Sequence, residues 1–114
     1  MTTRLMQKAI EQSTYVVFAA FLDTKKQPVT PNVVTWTLTD RFGAVVNGRL
    51  DVAVDALTFE IPIVLSGADL QVLPTGVTRH LTVSCTYDSI YGNDLPINDE
   101  CTFEVQDLLS VEEP

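Results

Sequence analysis

The chain has 114 residues, of which 46% are hydrophobic and 19% are charged, and its formal net charge is −8. This composition is typical of one globular domain and not of a disordered chain. The acidic balance argues against a sequence-independent nucleic-acid binder, because such proteins need cationic side chains to displace phosphate counterions. One histidine and two cysteines leave little material for a metal site or a catalytic triad. Composition therefore favours a non-enzymatic domain without a cofactor.

The charge is unevenly distributed along the chain. Residues 1–57 carry six basic and five acidic side chains, whereas residues 58–114 carry ten acidic side chains and one basic side chain, Arg79. Two interpretations stay open at this point. The acidic half either keeps the domain soluble or presents an acidic surface to a partner.

The sequence contains no recognisable targeting or anchoring segment. Gln7 and Lys8 interrupt the first ten residues, which therefore lack the apolar core of a signal peptide. The longest apolar run, residues 15–22, is too short to span a bilayer. We therefore expect a cytoplasmic protein with no membrane partner, in which Cys85 and Cys101 are reduced.

The two ends of the chain are predicted to be contact segments around one domain at residues 14–107. Residues 1–13 are predicted to form a short amphipathic helix or a docking arm, because their apolar side chains recur at helical spacing. Residues 108–114 form a tail that is apolar and then acidic. The contact residues expected in these two segments are Leu5, Ile10 and Leu109.

The domain itself is predicted to consist of short β-strands. Residues 14–22 are apolar on both faces, which predicts a strand that is buried on both sides. Residues 32–39 alternate, which predicts a strand with one face towards solvent. Residues 57–65 also alternate, and Pro62 on their outer face predicts a position at a sheet edge. The side chains expected to point inward from the strands at residues 32–39 and 57–65 are Val34, Trp36, Leu38, Phe59, Ile61, Ile63 and Leu65.

Turn signals separate these strands. A tight turn at residues 40–43 leads into a predicted short strand at residues 44–47. The dipeptide Asn47-Gly48 that follows is a strong hairpin signal.

Two alternating runs near the C-terminus, residues 79–88 and 101–107, predict an antiparallel hairpin centred on Asn93. This register places Cys85 opposite Cys101 and Arg79 opposite Asp107. The two thiols are then either small buried hydrophobic groups in a reduced core or partners in a cross-strand disulfide.

The same register leaves residues 88–100 as a long loop, which is predicted to make protein contacts through Tyr91, Leu95 and Ile97. An alternative is a calcium site, because the loop is rich in carboxylate and amide oxygens. Their spacing matches no EF-hand, and turn-rich loops have the same composition, so we predict no metal site. His80, the single imidazole, has no motif beside it that supplies a nucleophile, and no catalytic residue is predicted.

Residues 28–43, PVTPNVVTWTLTDRFG, resemble a segment of the immunoglobulin-like modules found in bacteriophage structural proteins and bacterial surface proteins. Residues 65–70, and residues 87–89 together with 92–96, are similar to parts of small uncharacterised phage proteins. The resemblance implies an all-β fold, an immunoglobulin-like antiparallel β-sandwich of about seven strands, with Trp36 filling the core. It does not imply an antibody-type disulfide, because Cys85 and Cys101 fall on strands predicted to be neighbours.

The resemblance also implies a function, namely a non-enzymatic structural protein of the virion. Such a protein docks in many symmetric copies on other virion proteins, on the capsid as a decoration or cement protein or in the neck or tail, and it assembles in the host cytoplasm. An alternative is a module that binds a glycan or host-surface ligand through Tyr91 and Phe42. A third possibility, an inhibitor directed at a host protein, has no residue that argues for it.

Overall fold

The computed structural model describes residues 2–4, 9–10, 13–23, 25–54, 58 and 60–106, and over these residues the protein is all-β. None of the described segments forms a helix long and apolar enough to cross a membrane. A 3₁₀ turn lies at Gly67–Leu70. The described strands are β1 Thr2–Arg4, β2 Ala9–Ile10, β3 Thr14–Ala20, β4 Val33–Thr39, β5 Val52–Ala53, β6 Glu60–Ser66, β7 Thr78–Ser89 and β8 Gly92–Gln106.

The strands form one large mixed sheet and one small antiparallel sheet. In the large sheet the order is β1–β8–β7–β4–β5, and β2 also pairs with β8. Both β1 and β2 run parallel to β8, whereas the other pairs are antiparallel. The small sheet consists of β3 and β6. The predicted all-β class is therefore confirmed.

The described part of residues 1–13 is extended and lies along β8. Thr2 to Arg4 pair with Glu100 to Thr102, and Ala9 and Ile10 pair with Val105 and Gln106. The helical alternative for this segment is therefore wrong at these positions. Of the apolar residues that suggested a helix, Ala9 and Ile10 belong to a short strand whose pairing partner is distant in sequence, which local spacing cannot reveal.

Both sheets contribute side chains to a hydrophobic core of two clusters, which are joined through the partly buried Ala19, Val54 and Val83. Trp36 is only 7% exposed, and the rings of Tyr15 from β3 and Phe103 from β8 lie 4.9 Å apart between centroids. The predicted inward faces of β4 and β6 are confirmed, and Pro62 lies at an outer edge as expected. Phe59 lies outside the described residues. The buried side chains of these two strands are Val34, Trp36, Leu38, Ile61, Ile63 and Leu65.

Strand β3 is buried on one face only, so the prediction of a doubly buried strand is wrong. Val16 and Phe18 are 41% and 65% exposed on the outer face, although both are apolar. No described element lies over this face, because the small sheet has only the large sheet as a neighbour. An uninterrupted apolar run is typical of a strand that is buried on both sides. In this protein one face of the run packs in the core and the other face is apolar but exposed.

The β7–β8 hairpin is shifted by four residues from the predicted register. Cys85 lies opposite Ile97, Leu81 lies opposite Cys101, and the connection is at Ile90-Tyr91. An even shift keeps every side chain on its predicted face, because the side-chain period of a strand is two. The hydrophobic pattern therefore could not distinguish the two registers. The predicted long loop at residues 88–100 is wrong, since most of that segment belongs to β8.

Both cysteines are free thiols, Cys85 buried and Cys101 partly buried. Cys101 lies four residues along β8 from the position opposite Cys85, a separation of roughly 13 Å that a disulfide cannot bridge. Thiol titration in denaturant without reductant is therefore expected to give two free thiols per chain. The same titration after reduction is the control, and a gain of thiols on reduction would contradict this assignment.

The turn predicted at Asn47-Gly48 is confirmed. Both residues have positive φ, 53° and 67°, and the Arg49 N–H donates to the Val46 carbonyl at 3.1 Å. These are the dihedral signs of the turn that Asn-Gly favours. The segment before it pairs with β4 only through an isolated bridge at Val45, so the short strand predicted at residues 44–47 does not form.

Arg79 is completely buried and does not lie opposite Asp107, since its cross-strand partner is Phe103. Its guanidinium donates to backbone carbonyls of the connection between β6 and β7. The Asp69 and Thr78 carbonyls accept at 3.3 Å and the Gly76 carbonyl at 3.4 Å, and the Gln71 carbonyl is a further acceptor. One side chain thereby stabilises the backbone conformation of residues 69–78.

Asp69 is a second completely buried charged residue in the same connection. Its carboxylate accepts from Arg49 Nε at 2.8 Å, from Asn47 Nδ2 at 2.9 Å and from the Ser66 N–H at 3.0 Å. It therefore ties the 3₁₀ turn to the Asn47-Gly48 turn. Burial opposes its ionisation, but these hydrogen bonds and the Arg49 charge outweigh burial and hold the pKa of Asp69 below its ordinary value.

Candidate functional site

The hairpin tip, residues 89–92, carries the two most exposed large apolar side chains of the described residues. Ser89 pairs with Gly92, which leaves Ile90 and Tyr91 as a two-residue connection. Ile90 is 91% exposed and Tyr91 is 70% exposed. The Tyr91 N–H donates to Ser89 Oγ at 3.0 Å, which closes the turn. A two-residue hairpin connection that presents an aliphatic and an aromatic side chain is well suited to protein contact.

The base of the hairpin tip is fixed by a small polar cluster. Asp88 Oδ1 accepts from Asn32 Nδ2 at 2.8 Å and from the Asp94 N–H at 2.9 Å. The Asn32 N–H donates in turn to the Thr86 carbonyl at 2.7 Å, which joins the start of β4 to the hairpin. These bonds hold Ile90 and Tyr91 on an ordered support, which lowers the entropy cost of ordering them on binding.

The structure brings only some of the predicted contact residues to one place. Tyr91 lies at the hairpin tip and Ile10 is exposed at the end of β2. Leu95 and Ile97 are half-buried on the inner face of β8, and Ile97 packs against the core around Cys85. Leu5 and Leu109 lie outside the described residues.

The oxygen ligands proposed for calcium are spread along the hairpin. Asp88 and Asp94 meet at its base, but Asp99 lies opposite Val83, several residues along the ladder. Within the described ranges, no group of three or more His, Cys, Asp or Glu side chains is placed to hold a metal ion.

The acidic side chains of the second half are concentrated on the β7–β8 hairpin. The only lysine or arginine in residues 58–106 is the buried Arg79, so the described surface of this half has neither residue. The acidic side chains on the hairpin are Asp88, Asp94, Asp99, Glu100 and Glu104.

His80 lies on the outer face of the large sheet and pairs with Glu100, with Nδ1 and Oε1 2.5 Å apart. The predicted register placed Glu100 far from His80, so sequence reasoning missed this pair. The actual register places Thr82 opposite Glu100 and His80 opposite Thr102, which makes the two ionisable residues diagonal neighbours. Thr102 Oγ1 also lies 3.5 Å from His80 Nδ1, so the three side chains form a polar contact on the outer face of the sheet.

A second exposed apolar group lies in the connection between β4 and β5. Phe42, Val45 and Leu50 are all exposed there. This connection follows the last residue of β4, whereas the hairpin tip adjoins its first residue, so the two groups lie at opposite ends of the sheet. The Arg41 guanidinium covers one face of the Phe42 ring at 4.6 Å, which leaves that ring one face for a sugar or another ligand.

The outer face of the small sheet is a third exposed apolar surface. Phe18 lies opposite Pro62 and Val16 lies opposite Val64 in the β3–β6 ladder. Val64 is 53% exposed, and the other three side chains are also exposed. We call these four residues the β3–β6 outer face. The outer position of Pro62 was expected, but sequence reasoning missed the exposure of Val16 and Phe18 because it placed both faces of β3 in the core.

A groove of about 210 Å³ lies between the edge of β3 and β8. It is lined by residues 17–21 and by inner-face side chains of the large sheet, among them Leu81, Val83 and Cys101. Burial, together with the charges of Asp99 and Glu100, raises the pKa of the Cys101 thiol to about 11. The thiol is therefore protonated at neutral pH and is a poor nucleophile or metal ligand.

Comparison with models of protein families, with curated proteins and with solved structures gave no match.

Proposed function

We propose that the chain is a non-enzymatic structural protein of a phage particle, which docks on other virion proteins through the hairpin tip. The location would be the capsid, as a decoration or cement protein, or the neck or tail. The observation that carries the proposal is the exposure of Ile90 and Tyr91 on an ordered hairpin. Large apolar side chains held in water on a fixed support are typical of protein-contact sites.

The proposed fold is an immunoglobulin-like sandwich, and the strand order supports it. The order β8–β7–β4–β5 beside the pair β3–β6 corresponds to strands G–F–C–C′ beside B–E in such domains. Trp36 then lies on strand C and the hairpin tip is the connection between strands F and G. Connections of this kind lie at the end of the sandwich, where immunoglobulin domains place their binding loops.

The shape of the molecule also supports end-on docking. Its longest dimension is 53 Å and the other two are 25 Å. Strand β8 has fifteen residues, an extended length of roughly 50 Å, so the β7–β8 hairpin runs along most of the molecule. The hairpin tip is then a narrow contact at one end. A narrow contact of this kind gains strength when many copies dock on a symmetric lattice.

The glycan-binding alternative has weaker support. Tyr91 lies on a convex tip, and Phe42 is already covered on one face by Arg41. Sugar sites in proteins are concave and bring several polar groups together around the stacked ring. Glycan-array binding by the isolated chain would favour this alternative over a virion protein.

Mass spectrometry of purified particles tests the proposal directly. We expect the chain in the particles at a copy number that matches a symmetric component. The double variant I90S/Y91S is expected to lower incorporation at least about tenfold, the effect of losing an apolar anchor.

The matched control is Leu50→Ser, which changes an exposed apolar side chain at the opposite end of the sheet. It is expected to leave incorporation unchanged. Absence of the chain from the particles would overturn the proposal. Equal incorporation of I90S/Y91S and the unmodified chain would overturn the role of the hairpin tip.

A further inference from the structure

The second edge of β3 is an open strand edge. The Gly67 N–H donates to the Ser13 carbonyl at 3.0 Å. From this pair onward, the odd-numbered residues of β3 are the ones whose backbone groups form hydrogen bonds with β6. In an antiparallel ladder the alternate residues point their backbone groups the other way. The N–H and C=O groups of Val16, Phe18 and Ala20 therefore point away from β6, and among the described residues no strand pairs with that edge.

The other long edges in the described structure are protected against pairing. On β6, Pro62 occupies an outward-pointing position and has no N–H to donate. On β8, the Asp94 N–H donates to Asp88, the Glu100 N–H donates to Asp99, and Pro96 has no N–H. Strands β1 and β2 pair with residues 100–102 and 105–106 of β8, which leaves Asn98 as a single outward-pointing position, and β5 has only two residues. Prolines, capped donors and short strands are the usual devices against edge-to-edge association.

Strand β3 has none of these devices. Thr14–Ala20 contains no proline and no charged side chain, and its outward side chains include Val16 and Phe18. An uncharged strand whose outward-pointing donors and acceptors at Val16, Phe18 and Ala20 pair with no described strand is a template for one more strand. Because it is the unprotected exception among protected edges, it is best explained as a pairing surface.

From this contrast we infer that β3 pairs antiparallel with β3 of a second copy of the chain, across a two-fold axis at Val17. Val16 then lies opposite the second copy's Phe18, and Thr14 lies opposite its Ala20. All of these are outward-pointing residues, so the pairs are hydrogen-bonded pairs. Each Phe18 ring packs on a β-branched side chain, a favourable cross-strand combination. The product is a four-stranded sheet β6–β3–β3–β6.

The edge is self-complementary in this register, and charge on β3 does not oppose a second copy as the occupant. Each chain carries a net charge of −8, so two copies repel each other wherever acidic side chains meet. The acidic β7–β8 hairpin is unsuitable for a self-contact on this ground. Strand β3 itself is uncharged over its whole length, whereas Asp99 and Glu100 of β8 line the groove beside it. A two-fold axis on β3 brings like side chains of that strand together without opposing like charges on it. The inference depends only on this edge, and holds whether or not the chain belongs to a phage particle.

Sedimentation velocity of the purified full chain, from micromolar to millimolar concentration, tests the inference. We expect a concentration-dependent dimer. Phe18→Lys is expected to raise the dimer dissociation constant at least about tenfold, because an edge lysine opposes pairing. Val64→Lys is the matched control, since Val64 lies on the same outer face but on β6, and it is expected to change the constant much less.

Hydrogen exchange on the unmodified chain supplies a readout that needs no variant. The amides of Val16, Phe18 and Ala20 are expected to exchange more slowly as concentration rises, while the Asn98 amide of β8 does not change. A monomer at millimolar concentration, or a dimer without protection at these three amides, overturns the inference. An equal effect of Phe18→Lys and Val64→Lys also overturns it, since that result places the contact on the face and not on the edge.

Discussion

Replacing Arg79 with methionine is expected to lower the free energy of unfolding by about 3–5 kcal/mol. Methionine retains much of the apolar stem of arginine, so the change in unfolding free energy reports on the guanidinium group. Without it, the carbonyls of Asp69, Gln71, Gly76 and Thr78 lose a buried donor. Each unsatisfied buried group costs about 1–3 kcal/mol. A small domain has a total stability of about 5–15 kcal/mol, so this loss is a large part of it.

Urea denaturation followed by tryptophan fluorescence measures this effect, since Trp36 is buried in the same core. Arg79→Lys is expected to lose most of the same free energy, because one ammonium group cannot serve four carbonyls. Arg41→Ala is the control, since Arg41 is exposed and stacks on Phe42, and its effect is expected to stay within about 1 kcal/mol. A change below that value for Arg79→Met would show that water replaces the guanidinium.

The partner of Arg79 depends on the register of the β7–β8 hairpin. The pattern placed Arg79 on the inner face, and that face is correct. The four-residue shift removed Asp107 as its partner, and the partners that it has are backbone carbonyls. Backbone carbonyls leave no signal in the sequence, because every residue type supplies one. The hydrogen bonds of Arg79 were therefore not predictable from the sequence.

The faces of most strands and the turn at Asn47-Gly48 were predictable from local sequence. The inward positions of β4, β6 and β8 follow from alternation, and the turn at Asn47-Gly48 follows from the ease with which both residues adopt positive φ. Phe18 was placed on a strand, but its exposure depends on the number of layers above β3, which is a property of the whole fold. The same limit applies to β1 and β2, whose partner β8 lies almost a hundred residues away in sequence.

The candidate contact site was predictable in part. Tyr91 was selected because it lies among turn residues, and it is exposed in the structure. Leu95 and Ile97 were selected from the same segment but fall on the inner face of β8. The predicted centre at Asn93 treated residues 88–100 as a loop. A centre at Ile90-Tyr91 places Gly92 directly after a two-residue connection, where its positive φ of 151° is accessible to glycine alone.

Asp69→Asn is expected to destabilise the protein in a manner that depends on pH. At neutral pH we expect a loss of about 2–3 kcal/mol, because the amide cannot accept from Arg49, Asn47 and the Ser66 N–H as the carboxylate does. The pKa of Asp69 is lowered in the folded protein. A lowered folded-state pKa gives stability that is present above the unfolded pKa, about 3.9, and is lost as the pH falls towards the folded value.

The difference in unfolding free energy between the unmodified chain and Asp69→Asn should therefore be constant above about pH 5 and shrink below about pH 4. The variant keeps some acid sensitivity because of Asp40. Burial raises the pKa of Asp40, but hydrogen bonds from the Phe42 and Ala44 N–H groups and the Arg79 charge lower it below its ordinary value. Asp23→Asn is the control. Asp23 also accepts two backbone N–H bonds, but in an exposed turn, where loss of charge is expected to cost less than about 1 kcal/mol. If the difference for Asp69→Asn stayed constant down to pH 2, its carboxylate would not be the charged acceptor that joins the two turns.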